Sequence, residues 1–350
     1  MSTAKYGTPA AAGSGSPAPT PLYDGHGRPL EYVRLALTDR CNLRCAYCMP
    51  ATGLAFAPAA ALLTYAELLR LVGLLAGLGV RKVRLTGGEP FVRRGLPGFI
   101  AGLRRVPGIT DISLTTNGVL TAPHVPTLAR LGISAVNLSL DTLDRARFHQ
   151  ITRRDALPAV LATLAVLLAA RIPVKINAVV MAGRNTQDLA ALAELTRHQP
   201  LTVRFIEEMP FNGGDPGAAP TLSWPHTRIR QQLAAHFPGL TALPATPGAT
   251  ATEYTIPGFV GRVGIIAAYS RTFCGTCNRL RVTPEGGIKT CLYDQGVLDA
   301  RALLRGGATD AELTAALAAA FRHRAASGIE AEKRRPTHQL SFESMATIGG

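Results

Sequence analysis

Six short runs rich in β-branched and other apolar residues constrain this chain more than any other feature. They are YVRLAL from Tyr32, KVRLT from Lys82, DISLTT from Asp111, AVNLSL from Ala135, VKINAVV from Val174 and VRFIE from Val203. Between them lie stretches whose apolar residues recur at three-and-four spacing, such as TYAELLRLVGLLAGLG from Thr64 and others near 97–106, 123–131, 156–170 and 186–198. A strand that is repeatedly followed by a helix reads as βα units around a parallel sheet. Six units over roughly 210 residues predict an α/β chain built as an open, partial (β/α)6 barrel of the TIM type, since eight units would need more chain.

The flanks read differently. Residues 1–29 are mostly Ala, Gly, Ser, Pro and Thr, a composition that buries too little apolar surface to offset ordering entropy, so the expectation is a disordered leader. Acids are scarce there, as in a transit peptide, but so is arginine. The barrel is expected over 30–239. After it, ALPATPGATATEY is loop-like, and TEYTI, RVGIIA, RLRVT and GGIKTC read as short strands ahead of a helix near 309–325 and a tail ending in MATIGG. A smaller α+β region is therefore expected over 240–350.

Net charge adds one bound. The chain carries 37 Lys and Arg against 23 Asp and Glu, a balance of +14, although only 17% of its residues are charged. That excess suits an anionic partner: nucleic acid, an acidic membrane or a phosphorylated small molecule. No run of five basic residues appears, and no stretch reaches the roughly 20 apolar residues of a membrane span. The N-terminus lacks the apolar core of a secretory signal.

The six cysteines fall into two triads: Cys41, Cys45 and Cys48 in TDRCNLRCAYCMP, and Cys274, Cys277 and Cys291, spaced C-x2-C-x13-C. Six in 350 residues are too few for a disulfide scaffold, and their clustering points to metal in a reducing, cytoplasmic compartment. Structural zinc takes four ligands. Three thiolates on a 4Fe–4S cluster leave one iron open to a ligand that is not protein. A single four-ligand zinc site with two spare thiols stays possible, but it does not explain why each half carries three.

C-x3-C-x2-C with an aromatic before its last cysteine, directly after a first strand, resembles the radical S-adenosylmethionine superfamily. GGEP at Gly87–Pro90, after the second strand, resembles the same superfamily's motif for the amino group of S-adenosylmethionine. Together with the second triad and the terminal Gly-Gly, the ordered set RLTGGEP, LTTNG, NLSLD, VKINAV, RFIEEMP and FCGTCNRLRVTPEGGIKTCL is similar to the GTP 3′,8-cyclase family, which starts molybdenum cofactor biosynthesis. The resemblance covers about Asp24 to Gly350.

That resemblance implies two 4Fe–4S clusters, with Cys41, Cys45 and Cys48 holding one and Cys274, Cys277 and Cys291 holding the other in the C-terminal extension. It implies S-adenosylmethionine on the first open iron, near Tyr47, Gly88, Ser139 and Met209. It implies GTP at the second, against Arg34, Arg84, Thr115, Lys175, Arg279, Leu280 and Arg281, with Lys82 and Arg204 as weaker additions. Period-two alternation supports part of this from the residues alone, because Arg279 and Arg281 share one strand face, and arginine's planar fork suits phosphate. The implied catalytic residues are Arg34 and the tail glycines Gly349 and Gly350, thin enough to enter a narrow channel. The implied products are 3′,8-cyclo-7,8-dihydro-GTP, 5′-deoxyadenosine and methionine. An external electron donor and a following enzyme that takes the product are expected, in a monomer or homodimer without nucleic acid or membrane.

Two other classes stay open. One is a different twin-cluster radical enzyme, for instance one acting on a peptide, although such enzymes usually carry more than three auxiliary cysteines. The other is a zinc protein that binds nucleic acid through its net charge. Such a protein would be colourless, whereas 4Fe–4S protein is brown, and its affinity would fall steeply with salt.

Overall fold

The computed structural model describes residues 21–211, 222–336 and 343–349. Six parallel strands form the first part: β1 (Tyr32–Ala36), β2 (Lys82–Thr86), β3 (Asp111–Thr116), β4 (Ala135–Ser139), β5 (Val174–Val180) and β6 (Thr202–Glu207). They lie side by side in chain order. Six helices cover them: α1 (Tyr65–Gly77), α2 (Leu96–Leu103), α3 (Val125–Arg130), α4 (Arg145–Thr152), α5 (Leu157–Ala169) and α6 (Leu189–Glu194). The expected partial barrel is present, with each expected strand within about a residue of its place.

Alternation along each strand separates two environments. Val33, Leu35, Val83, Leu85, Ile112 and Leu114 are fully buried under the helices, while Arg34, Arg84 and Thr115 point to the other face, where they line a cavity. Helix α1 shows how the outer layer is fixed. Thr64 and Glu67 form a reciprocal capping box at its start, and Leu68, Leu71, Val72 and Leu75 pack into the core. Residues 59–77 reach a mean hydropathy of 1.6 over 19 residues, long and apolar enough to cross a membrane. Glu67 and Arg70 interrupt this run, and here its residues Leu68, Leu71, Val72 and Leu75 are spent on the core.

The later part of the chain continues this sheet. After α7 (His226–His236) come β7 (Thr241–Ala242), β8 (Ala251–Thr255), β9 (Arg262–Ile266), β10 (Arg279–Val282), β11 (Gly287–Lys289) and β12 (Leu298–Asp299). β9 adds in parallel to β6, and β10 adds in parallel to β1, giving the order β12-β11-β10-β1-β2-β3-β4-β5-β6-β9-β8-β7. The region expected as a smaller unit from 240 thus supplies both edges of the barrel sheet. Among the described residues β7 and β12 do not pair with each other, so the barrel stays open. Helices α8 (Ala300–Arg305), α9 (Asp310–Arg322), α10 (Gly328–Lys333) and α11 (Met345–Ile348) follow.

The leader expectation needs a correction at its inner end. Residues 1–20 lie outside the described residues, but 21–29 are packed. Leu22 N donates to Leu78 O, and Leu30 N to Leu22 O. The Asp24 carboxylate, with no side-chain exposure, pairs with Arg28 at 2.7 Å and Arg324 at 3.3 Å. Arg28 donates onward to the carbonyls of Cys274, Ala325 and Ala326. A buried acid shared by two arginines holds this segment, a signal that overall composition averages away.

Candidate functional site: a cation-lined cavity between two cysteine triads

The inward faces of the sheet enclose a cavity of about 600 Å³. All six cysteines line it, together with Arg34, Lys82, Arg84, Lys175, Arg204, Arg279 and Arg281. Strand register explains the cluster. Arg34 stands opposite Arg84 on one side and Arg281 on the other. Tyr32, one layer below, stands opposite both Lys82 and Arg279. On the far side Asn177 stands opposite Arg204, and Lys175 opposite Asn137. Lys82 is partly neutralised by Asp111 at 2.5 Å, and Arg204 lies 3.8 Å from Glu253.

This crowding is visible in the proton affinities. Burial and then Arg281 hold Arg34 well below the ordinary arginine range. Burial and then Arg279 bring Arg281 down to about 10, and burial with Arg84 brings Arg204 to about 10. Burial and Arg204 lower Lys175 to about 8. Several polar atoms in the cavity wall are buried without a hydrogen-bond partner among the described residues: Tyr32 Oη, Thr115 Oγ1, Asn177 Oδ1, Arg204 Nε and Arg279 Nε. Each such atom costs roughly 1–3 kcal/mol unless something satisfies it. A polar, multiply anionic ligand answers both the orphaned donors and the repulsion.

The triads differ in surroundings. Cys41 Sγ accepts from Leu43 N at 3.4 Å and Asn117 Nδ2 at 3.6 Å. Burial raises all three thiols of the first triad, Cys48 to about 12 and Cys45 well above its ordinary value, with Asp141 adding to it. Asp141, itself raised to about 7 by burial, accepts from Val179 N and hydrogen-bonds Tyr47. In the second triad Cys274 Sγ accepts from Gly328 N at 3.4 Å. Burial pushes Cys291 up to about 11. Burial would raise Cys277 too, but Arg279 and Arg324 outweigh it and bring that thiol to about 6.

No described cysteine is in a disulfide. Among the described residues no three His, Cys, Asp or Glu side chains converge on one single-ion position. Thiolates are the donors that a 4Fe–4S cluster takes, and each triad brings three of them, none tied up in a disulfide, to the cavity wall.

The GGEP turn has a structural reason beyond any ligand. A Cβ on Gly87 would lie 2.4 Å from Thr38 O, and one on Gly88 2.3 Å from Arg40 O. The glycines let β2's exit lie against the backbone that leads into Cys41. Glu89 is fully buried and accepts from Thr116 Oγ1, Asn117 N and Phe91 N, tying this turn to the next strand.

Of the residues expected at the site, Arg34, Tyr47, Arg84, Gly88, Thr115, Ser139, Lys175, Met209, Arg279 and Arg281 all line the cavity. Leu280 does not: alternation turns its side chain into the core, fully buried, so only its backbone lies between the two arginines. Gly349 reaches β1 and β2, where its carbonyl accepts from Arg281 Nη1. Its φ is +74°, and a Cβ there would sit 3.1 Å from Thr86 Cγ2 and 3.2 Å from Ala36 Cβ. Gly350 lies outside the described residues. Sequence reasoning passed over Asn117, Asp141 and Arg324. The first two lie in the quoted LTTNG and NLSLD runs, where a polar residue just past a strand's C-terminal end was the available signal.

Comparison with known proteins agrees with this geometry. Residues 35–196 match the Radical SAM superfamily model, and residues 201–328 match the model described as Molybdenum Cofactor Synthesis C. The chain is 39% identical over 332 residues to a GTP 3′,8-cyclase of Moorella thermoacetica, covering 94% of this chain and 100% of that one. It is 42% identical over 324 residues to Molybdenum cofactor biosynthesis protein 1 of Bos taurus, covering 90% of this chain but 50% of that one. The chain thus spans about half the length of that animal relative. The solved structure of Streptococcus suis SuiB superposes with a TM-score of 0.58 at 14% identity, over 82% of this chain and 68% of that one, which shows the fold alone.

Proposed function

We propose, from the premise that this chain belongs to the GTP 3′,8-cyclase family within the radical S-adenosylmethionine superfamily, that its cavity converts GTP to 3′,8-cyclo-7,8-dihydro-GTP, with cleavage of S-adenosylmethionine to 5′-deoxyadenosine and methionine. This is the first step of molybdenum cofactor synthesis. The observation that carries the reading is that both cysteine triads and eight cations line one cavity. Bound at Cys41, Cys45 and Cys48 with one iron open, a reduced 4Fe–4S cluster supplies the electron that cleaves S-adenosylmethionine and so generates the hydrogen-abstracting radical.

The remaining work falls to the chain's own side chains. Lys82, Arg84, Lys175 and Arg204 hold the triphosphate by charge, and Arg279 and Arg281 fix the nucleotide beside the second triad. Arg34 and Thr115 stand between the triads and orient the ribose. Tyr47, Gly88, Ser139 and Met209 seat S-adenosylmethionine, Tyr47 being aimed by its bond to Asp141. Holding the ribose 3′ carbon and guanine carbon 8 in near-attack geometry favours ring closure over quenching by solvent. The balance requires one electron for the cleavage and a second, with a proton, for the closed ring, so an external donor is part of the reaction. The product passes to a following enzyme, in a cytoplasmic setting.

The test uses protein with both clusters loaded anaerobically, a reductant, S-adenosylmethionine and GTP deuterated at the 3′ carbon. Deuterium in the 5′-deoxyadenosine, read by mass spectrometry, is the expected result. 5′-Deoxyadenosine without deuterium would overturn attack at that carbon.

A further inference from the structure

The C-terminal segment is fastened at its root to both triads at once. Glu343 accepts from Lys289 Nζ at 2.9 and 3.0 Å and from Arg335 Nη1 at 3.3 Å. Both cations are almost wholly enclosed, at 1% and 4% side-chain exposure. Arg335 also donates to the carbonyls of Tyr293 and Asp294, and the Asp294 carboxylate accepts from Thr290 N, Thr290 Oγ1 and Cys291 N. One carboxylate therefore grips both sides of the turn that carries Cys291. The next residue grips the other triad. Ser344 Oγ donates to Cys48 O at 2.6 Å and accepts from Ala346 N, capping α11.

Five residues beyond Ser344, Gly349 O meets Arg281. Arg281 is the register partner of Lys289 across β10 and β11. Adjacent positions on paired strands thus hold the root and the end of the same short segment. Two buried cations facing one carboxylate are a costly way to fasten a terminus. A surface tail needs no such arrangement, and an apolar anchor would serve for adhesion alone.

Resting on the functional reading above, we propose that Glu343 and Ser344 are positioning residues. They form a two-point clamp that spans both cysteine loops and sets where Gly349 stands against Arg281. They do not touch the reacting atoms, so their loss moves the tail and leaves nucleotide binding largely in place.

The test compares wild type with Glu343→Gln, both loaded with iron and assayed for iron content, turnover and hydrogen exchange of the C-terminal peptide. In Glu343→Gln the tail amides exchange faster, kcat falls roughly ten- to hundredfold, as a displacement of about 1 Å can cause, and the KM for GTP changes less than about threefold. Unchanged kcat overturns the proposal, and so does a lowered kcat with unchanged tail exchange. If Glu343→Gln loses iron or fails to fold, Ser344→Ala, which uncovers no buried charge, must show the same paired loss of protection and turnover, or the clamp is wrong. Wild type that fails to turn over GTP would instead sink the functional reading, and the exchange comparison would still stand.

Discussion

Replacing Arg204 by methionine should make the empty protein more stable and the GTP-bound protein less so. Arg204 is 12% exposed, and burial with Arg84 lowers it from 12.5 to about 10. The folded state binds that proton less tightly than the unfolded state does. Stability therefore rises with pH from about 10 up to the ordinary arginine range, and at neutral pH the whole penalty is present. A drop of that size corresponds to roughly 3 kcal/mol at about 1.4 kcal/mol per tenfold. Methionine removes the penalty and keeps apolar contact, while Glu253 loses only a 3.8 Å partner and retains Arg262 at 3.2 Å. A net gain of about 1–2 kcal/mol follows, or roughly 1.5–3 °C in melting temperature for a chain of this size. With GTP the order changes, because the variant has one cation fewer for the triphosphate. A Kd weakened about 10- to 100-fold removes about 1.4–2.7 kcal/mol of the stabilisation by saturating GTP. Thermal melts with and without GTP read both effects. A variant that melts lower than wild type without GTP, or keeps the full GTP-induced shift, refutes the idea that these cations are held in mutual repulsion for the ligand.

Two further outcomes follow from the same cavity. Lys175, lowered to about 8 by burial and Arg204, is charged in the free protein only below that pH; kcat/KM for GTP should therefore fall as pH rises through about 8, and Lys175→Met should flatten that limb while lowering the plateau. Gly349→Ala puts a Cβ at φ +74° against Thr86 and Ala36, a left-handed conformation that costs about 1–2 kcal/mol; turnover should fall about tenfold with both clusters intact by iron analysis, and normal turnover would show that the tail does not matter.

The legible part of the fold was the part with local periodicity. Val33, Leu35, Val83 and Leu85 alternate with Arg34, Lys82 and Arg84, so the strand and the side facing the cavity could be read together. Helix α7 escaped because HTRIRQQLAAH buries only Ile229 and Leu233, too sparse a stripe to stand out. The expected smaller unit after 240 became the two edges of the barrel sheet. Its strands read correctly as strands, but a one-dimensional pattern does not say that β9 will find β6 or that β10 will find β1. The Glu343 clamp was invisible for a related reason. Its partner Lys289 lies 54 residues away, and a lone lysine in GGIKTC gives no hint of an enclosed ion pair.

Strand direction settles which end of the cavity each triad occupies. β1 ends at Ala36, so Cys41, Cys45 and Cys48 follow from its C-terminal end. β10 runs parallel to β1 with Arg279 level with Tyr32, so Cys277, two residues earlier, stands at the opposite end. β11 returns antiparallel with Lys289 level with Arg281, which carries Cys291 to that same end. The loops that carry the triads therefore leave opposite ends of β1, a strand of four steps of about 3.3 Å, or about 13 Å. Arg34, Arg84 and Arg281 form the layer between them. On the proposed function, the sulfonium cofactor takes the C-terminal end and the triphosphorylated nucleotide reaches from the arginine layer toward the far triad. The register thus puts Arg34, Arg84 and Arg281 between the two cysteine loops, where a ligand at either end meets the same cations.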